Sequence, residues 1–261
     1  MDKFLFKKLL KLPRFFGQKI LKNPKSNKAV ISDLFLWRLD DEWDTFYEIL
    51  DYSSVFFSTP EKYCHIIFFD RYGNQIYERK VSVPSLERKT IKLSELLPQS
   101  KRINENYGSF CVIHPHTPKI ISEENSFLTD RGYSAFTYKK CTLKSYLHGN
   151  MDAIDSNLNL LGGTSLIMRN FNLQYYFEPY KKYEILLTNN TPKDKKIILT
   201  ILSKDKKTII NKCLKLKPRE LFIYEISQLN INFYCRITSR IFMARPIIFS
   251  YESDKIDVFH A

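Results

Sequence analysis

The chain has 261 residues, of which 44% are hydrophobic and 15% aromatic, and it carries a net charge of +13. This length allows one large β domain or two ordinary ones, and the apolar content argues against an intrinsically disordered chain. Residues 1–28, with nine Lys or Arg and one Asp, hold +8 of that charge. Since the remainder is only mildly basic, we expect no specific nucleic-acid partner.

The first segment, residues 1–28, is predicted to be a basic amphipathic helix with a kink at Pro13. Its longest apolar run is three residues, far short of the roughly 20 that a spanning helix needs. Such a segment suits an anionic membrane surface, although docking on the body of the protein or binding another partner stays open. The predicted membrane contacts are Phe4, Lys7, Lys8, Lys11, Phe15, Phe16 and Lys19.

The location is predicted from the same segment and from the cysteines. The five cysteines form no CxxC pair. Residues 1–28, which we call the arm, lack the apolar centre of a secretion signal. Both features favour a reducing cytoplasm. We therefore expect a cytoplasmic protein that lies peripherally on the inner face of the membrane.

The rest of the chain is predicted to be strands, in short runs rich in Ile, Phe, Tyr and Val that are bounded by polar turns. Their order repeats: residues 66–96 and 199–229 both give a strand, a turn, a strand, a proline, a strand and a Ser-acid/amide-Leu exit. Upstream, "EWDTFYEIL" (42–50) and "FNLQYYFEP" (171–179) take corresponding positions. The fold class is therefore mainly β, with two tandem immunoglobulin-like or jelly-roll-like β-sandwich units at 30–143 and 144–261.

This repeated pattern resembles the small β-sandwich domains grouped around the sensory rhodopsin transducer proteins. The features in common are a proline-containing turn, the strand after it, a short acidic segment and a final strand ending in a basic residue. The resemblance covers residues 199–249 well and 63–121 less well. It implies binding of a small, sugar-like ligand.

Three tracts carry more polar residues than a sandwich requires: 131–150, 237–246 and the C-terminal "DKIDVFHA". A buried arginine in the second tract needs an anionic ligand or a protein carboxylate such as Glu220 or Glu225. Together with "CVIHPHTPK" (111–119), these tracts supply the predicted ligand-binding residues, which are His114, His116, Tyr133, His148, Asn150, Arg240, Arg245 and His260.

A metal site is the alternative use of the histidines. His114, His116 and His148 provide three possible zinc ligands, but only the His-x-His spacing is characteristic and Pro115 makes that segment loop-like. We therefore predict no cofactor, with a divalent metal such as zinc as the alternative. Surface or turn histidines without a shared role are a third interpretation.

Three functions remain open from sequence alone. The first is a membrane-associated protein that binds a small polar or glycan-like ligand or a partner at the junction of its repeats, in envelope polysaccharide assembly. The second is a metal-dependent enzyme with a histidine cluster, although no nucleophile or phosphate-binding motif supports catalysis. The third is a structural module without a pocket, for which a second copy of the chain is a candidate partner.

Overall fold

The computed structural model describes residues 30–51, 54–55, 58, 62–102, 105–115, 128–130, 132–227, 229–242, 245–252 and 255–260. The predicted arm and its membrane contacts lie outside these residues. Within them, no helix is long and apolar enough to cross a membrane.

The described residues form eighteen strands and two short helices, α1 (Leu93–Leu96) and α2 (Gln99–Arg102). The first ten strands are β1 (Val30–Arg38), β2 (Trp43–Leu50), β3 (Tyr63–Asp70), β4 (Gln75–Ser82), β5 (Arg88–Lys92), β6 (Tyr107–Ile113), β7 (Leu128–Asp130), β8 (Tyr133–Tyr138), β9 (Ser145–Leu147) and β10 (Asn150–Asp155). The other eight are β11 (Thr164–Asn172), β12 (Lys182–Thr188), β13 (Lys195–Ser203), β14 (Thr208–Leu216), β15 (Leu221–Ile226), β16 (Phe233–Ile241), β17 (Ile247–Glu252) and β18 (Lys255–His260).

These strands build four sheets and two sandwiches. The first sandwich consists of sheet I, with the order β10-β1-β6-β3-β4 and β7 beside β1, and sheet II, with the order β5-β2-β8-β9. The second consists of sheet III, β11-β16-β13-β14, and sheet IV, β15-β12-β17-β18. The prediction of a mainly β chain with tandem sandwiches is confirmed.

The internal repeat appears as a shared topology. The order β1-β6-β3-β4 in sheet I matches β11-β16-β13-β14 in sheet III, and β5-β2-β8-β9 matches β15-β12-β17-β18. The sequence paired residues 42–50 with 171–179. In the structure, residues 42–50 contain β2, whose counterpart in the second sandwich is β12, whereas residues 171–179 begin at the end of β11. The predicted boundary between residues 143 and 144 lies between β8 and β9. These two strands pair with each other, and β10 pairs with β1, so β9 and β10 both belong to the sheets of the first sandwich.

Each sandwich encloses its own core because alternate strand residues point to the same side of a sheet. In the first, Ile66 and Phe68 of β3 pack with Tyr47 of β2 and Trp37 of β1. The Trp37 indole Nε1 donates to the carbonyls of Phe69 and Ser109, both at 3.1 Å, so its polar group is satisfied. The second core follows the same pattern, with Ile197, Leu199 and Ile201 on β13.

The two sandwiches meet at a third apolar cluster, which we call the junction. The outer face of sheet IV supplies Leu186, Phe249 and Val258, which pack against Trp43 and Phe136 of the first sandwich, among others. The Phe249 ring lies edge-on to Trp43 at 4.8 Å and to Phe136 at 5.2 Å between centroids. Both tryptophans are buried, so neither presents an exposed ring for stacking on a sugar.

A buried ion pair crosses the junction. Arg38 Nη1 lies 2.6 Å from Glu184 Oε2, and the Tyr251 hydroxyl donates to the same oxygen at 2.6 Å. The guanidinium also lies over the rings of Trp43 and Phe249, 5.0 and 4.7 Å from their centroids. Burial by itself lowers the pKa of Arg38, but Tyr251 and Glu184 raise it above its ordinary value, so the guanidinium stays charged.

Candidate functional site

The outer face of sheet II carries a groove that begins with the alternation of β2. Tyr47 and Ile49 point into the first core, so Glu48 between them points to the outside of the sheet. Glu48 pairs directly with Thr90 on β5 and with Tyr133 on β8. The edge strand β9 adds Tyr146 to the same face, because Tyr146 pairs with Ala135.

The groove has a volume of about 230 Å³. Its lining residues come from β2, β5, β8, β9 and the segment before β8, and are Glu48, Ile49, Leu50, Arg88, Gly132, Tyr133 and Tyr146. A Cβ on Gly132 would lie 1.8 Å from the Tyr47 hydroxyl oxygen. Only glycine therefore allows the chain to enter β8 this close to the core.

The carboxylate of Glu48 lies at the base of the groove, and the residue is only 8% exposed. Its Oε1 accepts from the Thr90 hydroxyl at 2.8 Å and from the Tyr146 hydroxyl at 3.4 Å. Its Oε2 is 3.3 Å from Arg88 Nε, in an ion pair without hydrogen-bond geometry, and it accepts no hydrogen bond from the described residues. Glu48 lines the groove, so its side chain places carboxylate acceptors at the base, although Oε2 itself is buried.

Two tyrosines and one arginine form the walls. Tyr133 is 43% exposed and Tyr146 is 48% exposed, and the Arg88 side chain is 72% exposed. Partial burial, followed by the nearby Glu48 carboxylate, raises the pKa of the Tyr146 phenol above its ordinary value. The phenol therefore remains a hydrogen-bond donor at neutral pH.

Several of the predicted ligand-binding residues meet beside this groove. The Tyr133 and His148 rings are 4.3 Å apart between centroids. His260 Nε2 on β18 donates to the His148 carbonyl at 2.7 Å, which joins the second sandwich to the first. Burial first, and then Arg245 and His148 among the charged groups, lower the pKa of His260, although its backbone hydrogen bonds oppose this.

The other predicted residues have separate positions. Asn150 is buried and pairs with Leu34 at the start of β10, and His114 is buried directly after β6. Arg240 is exposed on β16, where its Nε donates to the Ser165 carbonyl at 2.9 Å, so it pairs with neither proposed carboxylate.

The metal alternative depends on residues that are only partly described. Across the described ranges, no three His, Cys, Asp or Glu side chains are placed to hold a metal ion. His116, one of the three predicted ligands, lies outside those ranges. Burial raises the pKa of the Cys111 thiol, as expected for a cysteine in an apolar strand.

Sequence reasoning missed Glu48, Arg88 and Tyr146. The signal for Glu48 was present in "WDTFYEIL", where Asp44, Phe46 and Glu48 alternate with core residues and so share the outer face. Nothing in the sequence showed that Arg88 and Tyr146 lie beside this carboxylate, because they come from β5 and β9.

Comparison with known proteins gives no family. No family model and no curated protein matches the chain. A glycosyl hydrolase family 2 member from Bacteroides cellulosilyticus DSM 14838 is 7% identical with a TM-score of 0.17, over 94% of this chain and 31% of that one. A beta-glucuronidase from glycoside hydrolase family 2 is 10% identical with a TM-score of 0.15, over 94% and 26%.

The chain thus spans about a third or less of the length of these solved structures. TM-scores this low carry no argument about function. The resemblance to the sensory rhodopsin transducer group stays a prediction.

Proposed function

We propose that the protein is a membrane-associated tandem β-sandwich that binds a small polar, glycan-like ligand in the groove of sheet II. One observation carries this proposal: the buried Glu48 carboxylate lies between two exposed tyrosines and an exposed arginine in one groove.

This combination suits a sugar because a sugar ring has apolar C–H faces and a rim of hydroxyl groups. The tyrosine rings offer apolar surface with a polar tip, and the Glu48 carboxylate accepts from ligand hydroxyls. Arg88 donates to a ligand oxygen or to a carboxylate on an acidic sugar. The groove is smaller than the roughly 300–1,000 Å³ of pockets for drug-sized ligands, so we expect it to hold one ring of a longer chain.

Tyr133 in the groove contacts His148, whose carbonyl accepts a hydrogen bond from His260 of the second sandwich. We therefore expect binding close to the predicted junction of the two repeats, but on the first sandwich alone. Arg240 is left out of this site, since it bonds to Ser165.

The cellular setting belongs to the proposal as well. The basic arm at residues 1–28 supports contact with an anionic membrane at the cytoplasmic face. A glycan-binding protein in that position fits envelope polysaccharide assembly.

The test is titration of the full chain with a panel of neutral, acidic and amino sugars, followed by ligand-observed NMR. Tyr133→Ala, Tyr146→Ala and Glu48→Gln should each weaken binding by roughly tenfold, because each removes a stacking surface or a charge-assisted hydrogen bond. The matched control is Tyr234→Ala, which removes a similarly exposed tyrosine from sheet III. Binding that is unchanged in the groove variants, or no binding by any sugar, would contradict the proposal.

A further inference from the structure

Strand β11, at the edge of sheet III, carries a large bulge. It pairs with β16 at Thr164↔Ile241 and next at Arg169↔Ser239. The four residues 165–168 of β11 therefore lie opposite Arg240 alone. We call residues 165–168 the apolar bulge, because Leu166, Ile167 and Met168 are 59%, 64% and 38% exposed.

Hydrogen bonds fix the start of the apolar bulge. The Arg240 guanidinium donates through Nε to the Ser165 carbonyl at 2.9 Å, and the Ile167 amide donates to Ser165 Oγ at 3.2 Å. Directly after the bulge, the Arg169 guanidinium lies over the Phe242 ring, 5.4 Å from its centroid. The three apolar side chains are thus presented by an ordered backbone.

Cations lie beside the apolar bulge, on the side of β16 and β13. Lys196 is exposed beside Arg240, because Ile197 pairs with Ser239 in the next register position. Lys193 is exposed as well, whereas Lys195 is buried, and burial, followed by Arg240 and Lys193, lowers the pKa of Lys195. The nearby carboxylate, Asp194, is paired with Lys215 at 2.7 Å.

We infer that the apolar bulge inserts into an anionic lipid surface while the exposed cations beside it, Lys193, Lys196 and Arg240, contact the headgroups. Apolar side chains flanked by lysine and arginine match the two layers of such a surface, the acyl boundary and the charged headgroups. This contact belongs to the body of the protein and does not depend on the arm or on the sugar groove.

A second copy of the chain fits this surface poorly. A twofold contact through the same patch would bring the cations of both copies together. A bulge on an edge strand also hinders the addition of a partner strand. The charge around the bulge therefore favours lipid.

The first test places a reporter at the tip. Trp37 and Trp43 are buried, so Ile167→Trp in the full chain introduces an exposed indole. We expect vesicles of phosphatidylglycerol and brominated phosphatidylcholine to quench its emission, and vesicles without the anionic lipid to quench it much less. The control, Leu143→Trp, replaces a leucine that is 77% exposed near Lys140 and Lys144 on the first sandwich, and it should stay unquenched.

The second test measures affinity by vesicle sedimentation. Replacing Leu166, Ile167 and Met168 by Ser should weaken binding roughly tenfold or more, since their apolar contacts are lost. Lys196→Gln should weaken it about fivefold on anionic vesicles only.

Two outcomes would overturn the inference. One is a full chain that sediments with anionic vesicles while Ile167→Trp stays unquenched, which would leave the arm as the contact. The other is a blue-shifted Ile167→Trp emission without lipid in a sample that light scattering shows to be dimeric. Sugar titration of the same variants separates failure here from failure of the groove proposal.

Discussion

Sheets II and IV have the same strand order, but the outer face of sheet II is open to solvent and that of sheet IV is buried against the first sandwich. Each has three directly paired positions at corresponding places: Glu48, Thr90 and Tyr133 in the first sandwich, and Leu186, Ile223 and Ile247 in the second. The first set lines or borders an open groove, and the second packs into the junction. The edge strands follow the same division, with exposed Tyr146 on β9 and buried Val258 on β18.

This difference shows that the side chains of the outer face, rather than the fold, decide whether that face is buried by the other sandwich or stays exposed. The other sandwich buries the apolar face, because exposing this apolar surface to water would cost free energy. The polar face stays open to solvent. The three predictions below test this division, from the largest expected effect to the smallest.

Arg38→Met should lower the free energy of unfolding by about 3–5 kcal/mol, because it leaves the Glu184 carboxylate buried without its main partner. Urea denaturation followed by tryptophan fluorescence measures this, since Arg38 lies over the Trp43 ring. The double variant Arg38→Met/Glu184→Gln should recover much of the loss. An equal loss in both would show that packing, not charge pairing, is what Arg38 contributes.

Exchanging the character of the paired positions should have unequal effects. Leu186→Glu puts a charge into the sealed junction and should cost about 3 kcal/mol. Glu48→Leu removes a buried carboxylate, but its partners Thr90, Tyr146 and Arg88 are exposed and can bond to water, so the free energy of unfolding should change by less than about 1 kcal/mol. Thermal and urea unfolding of both variants provide the measurement, and similar losses would mean that the two faces do not differ as described.

Acid should weaken the contact between the sandwiches through His260. Its folded pKa is lowered, so its contribution to stability is present above pH 6.5 and is lost as the pH falls through the folded pKa. His260→Gln keeps a donor for the His148 carbonyl and should flatten the dependence of unfolding on pH below 6.5. We expect this to be the smallest of the three effects, and an unchanged pH profile would contradict it.

The tandem architecture was predictable because its signal is local. Short β-rich runs, turns and the repeat between residues 66–96 and 199–229 follow from neighbouring residues. The structure gives β3, β4 and β5 the same positions in their sheets as β13, β14 and β15. The sequence also singled out Tyr133, His148 and His260, which lie near one another in the structure, and their role in binding stays a prediction.

The remaining features depend on contacts between distant segments. Arg38 and Glu184 are 146 residues apart, and each looks like an ordinary surface charge in its strand. The run "SLIMRN" reads as a buried strand, yet it bulges outward because β16 offers only Arg240 opposite four residues. Predicting the groove would have required knowing that β2 pairs with β5 and β8, and no single segment of the sequence specifies this pairing.

The junction also bears on the order in which the chain is made. β17 and β18, which carry Phe249 and Val258, follow every strand of the first sandwich in the chain. Because synthesis proceeds from the N-terminus and domains fold as units, the first sandwich can already be formed when this apolar face emerges. The apolar face of sheet IV can then pack against the folded first sandwich as soon as it forms. This shortens the time that an aggregation-prone face is exposed to water.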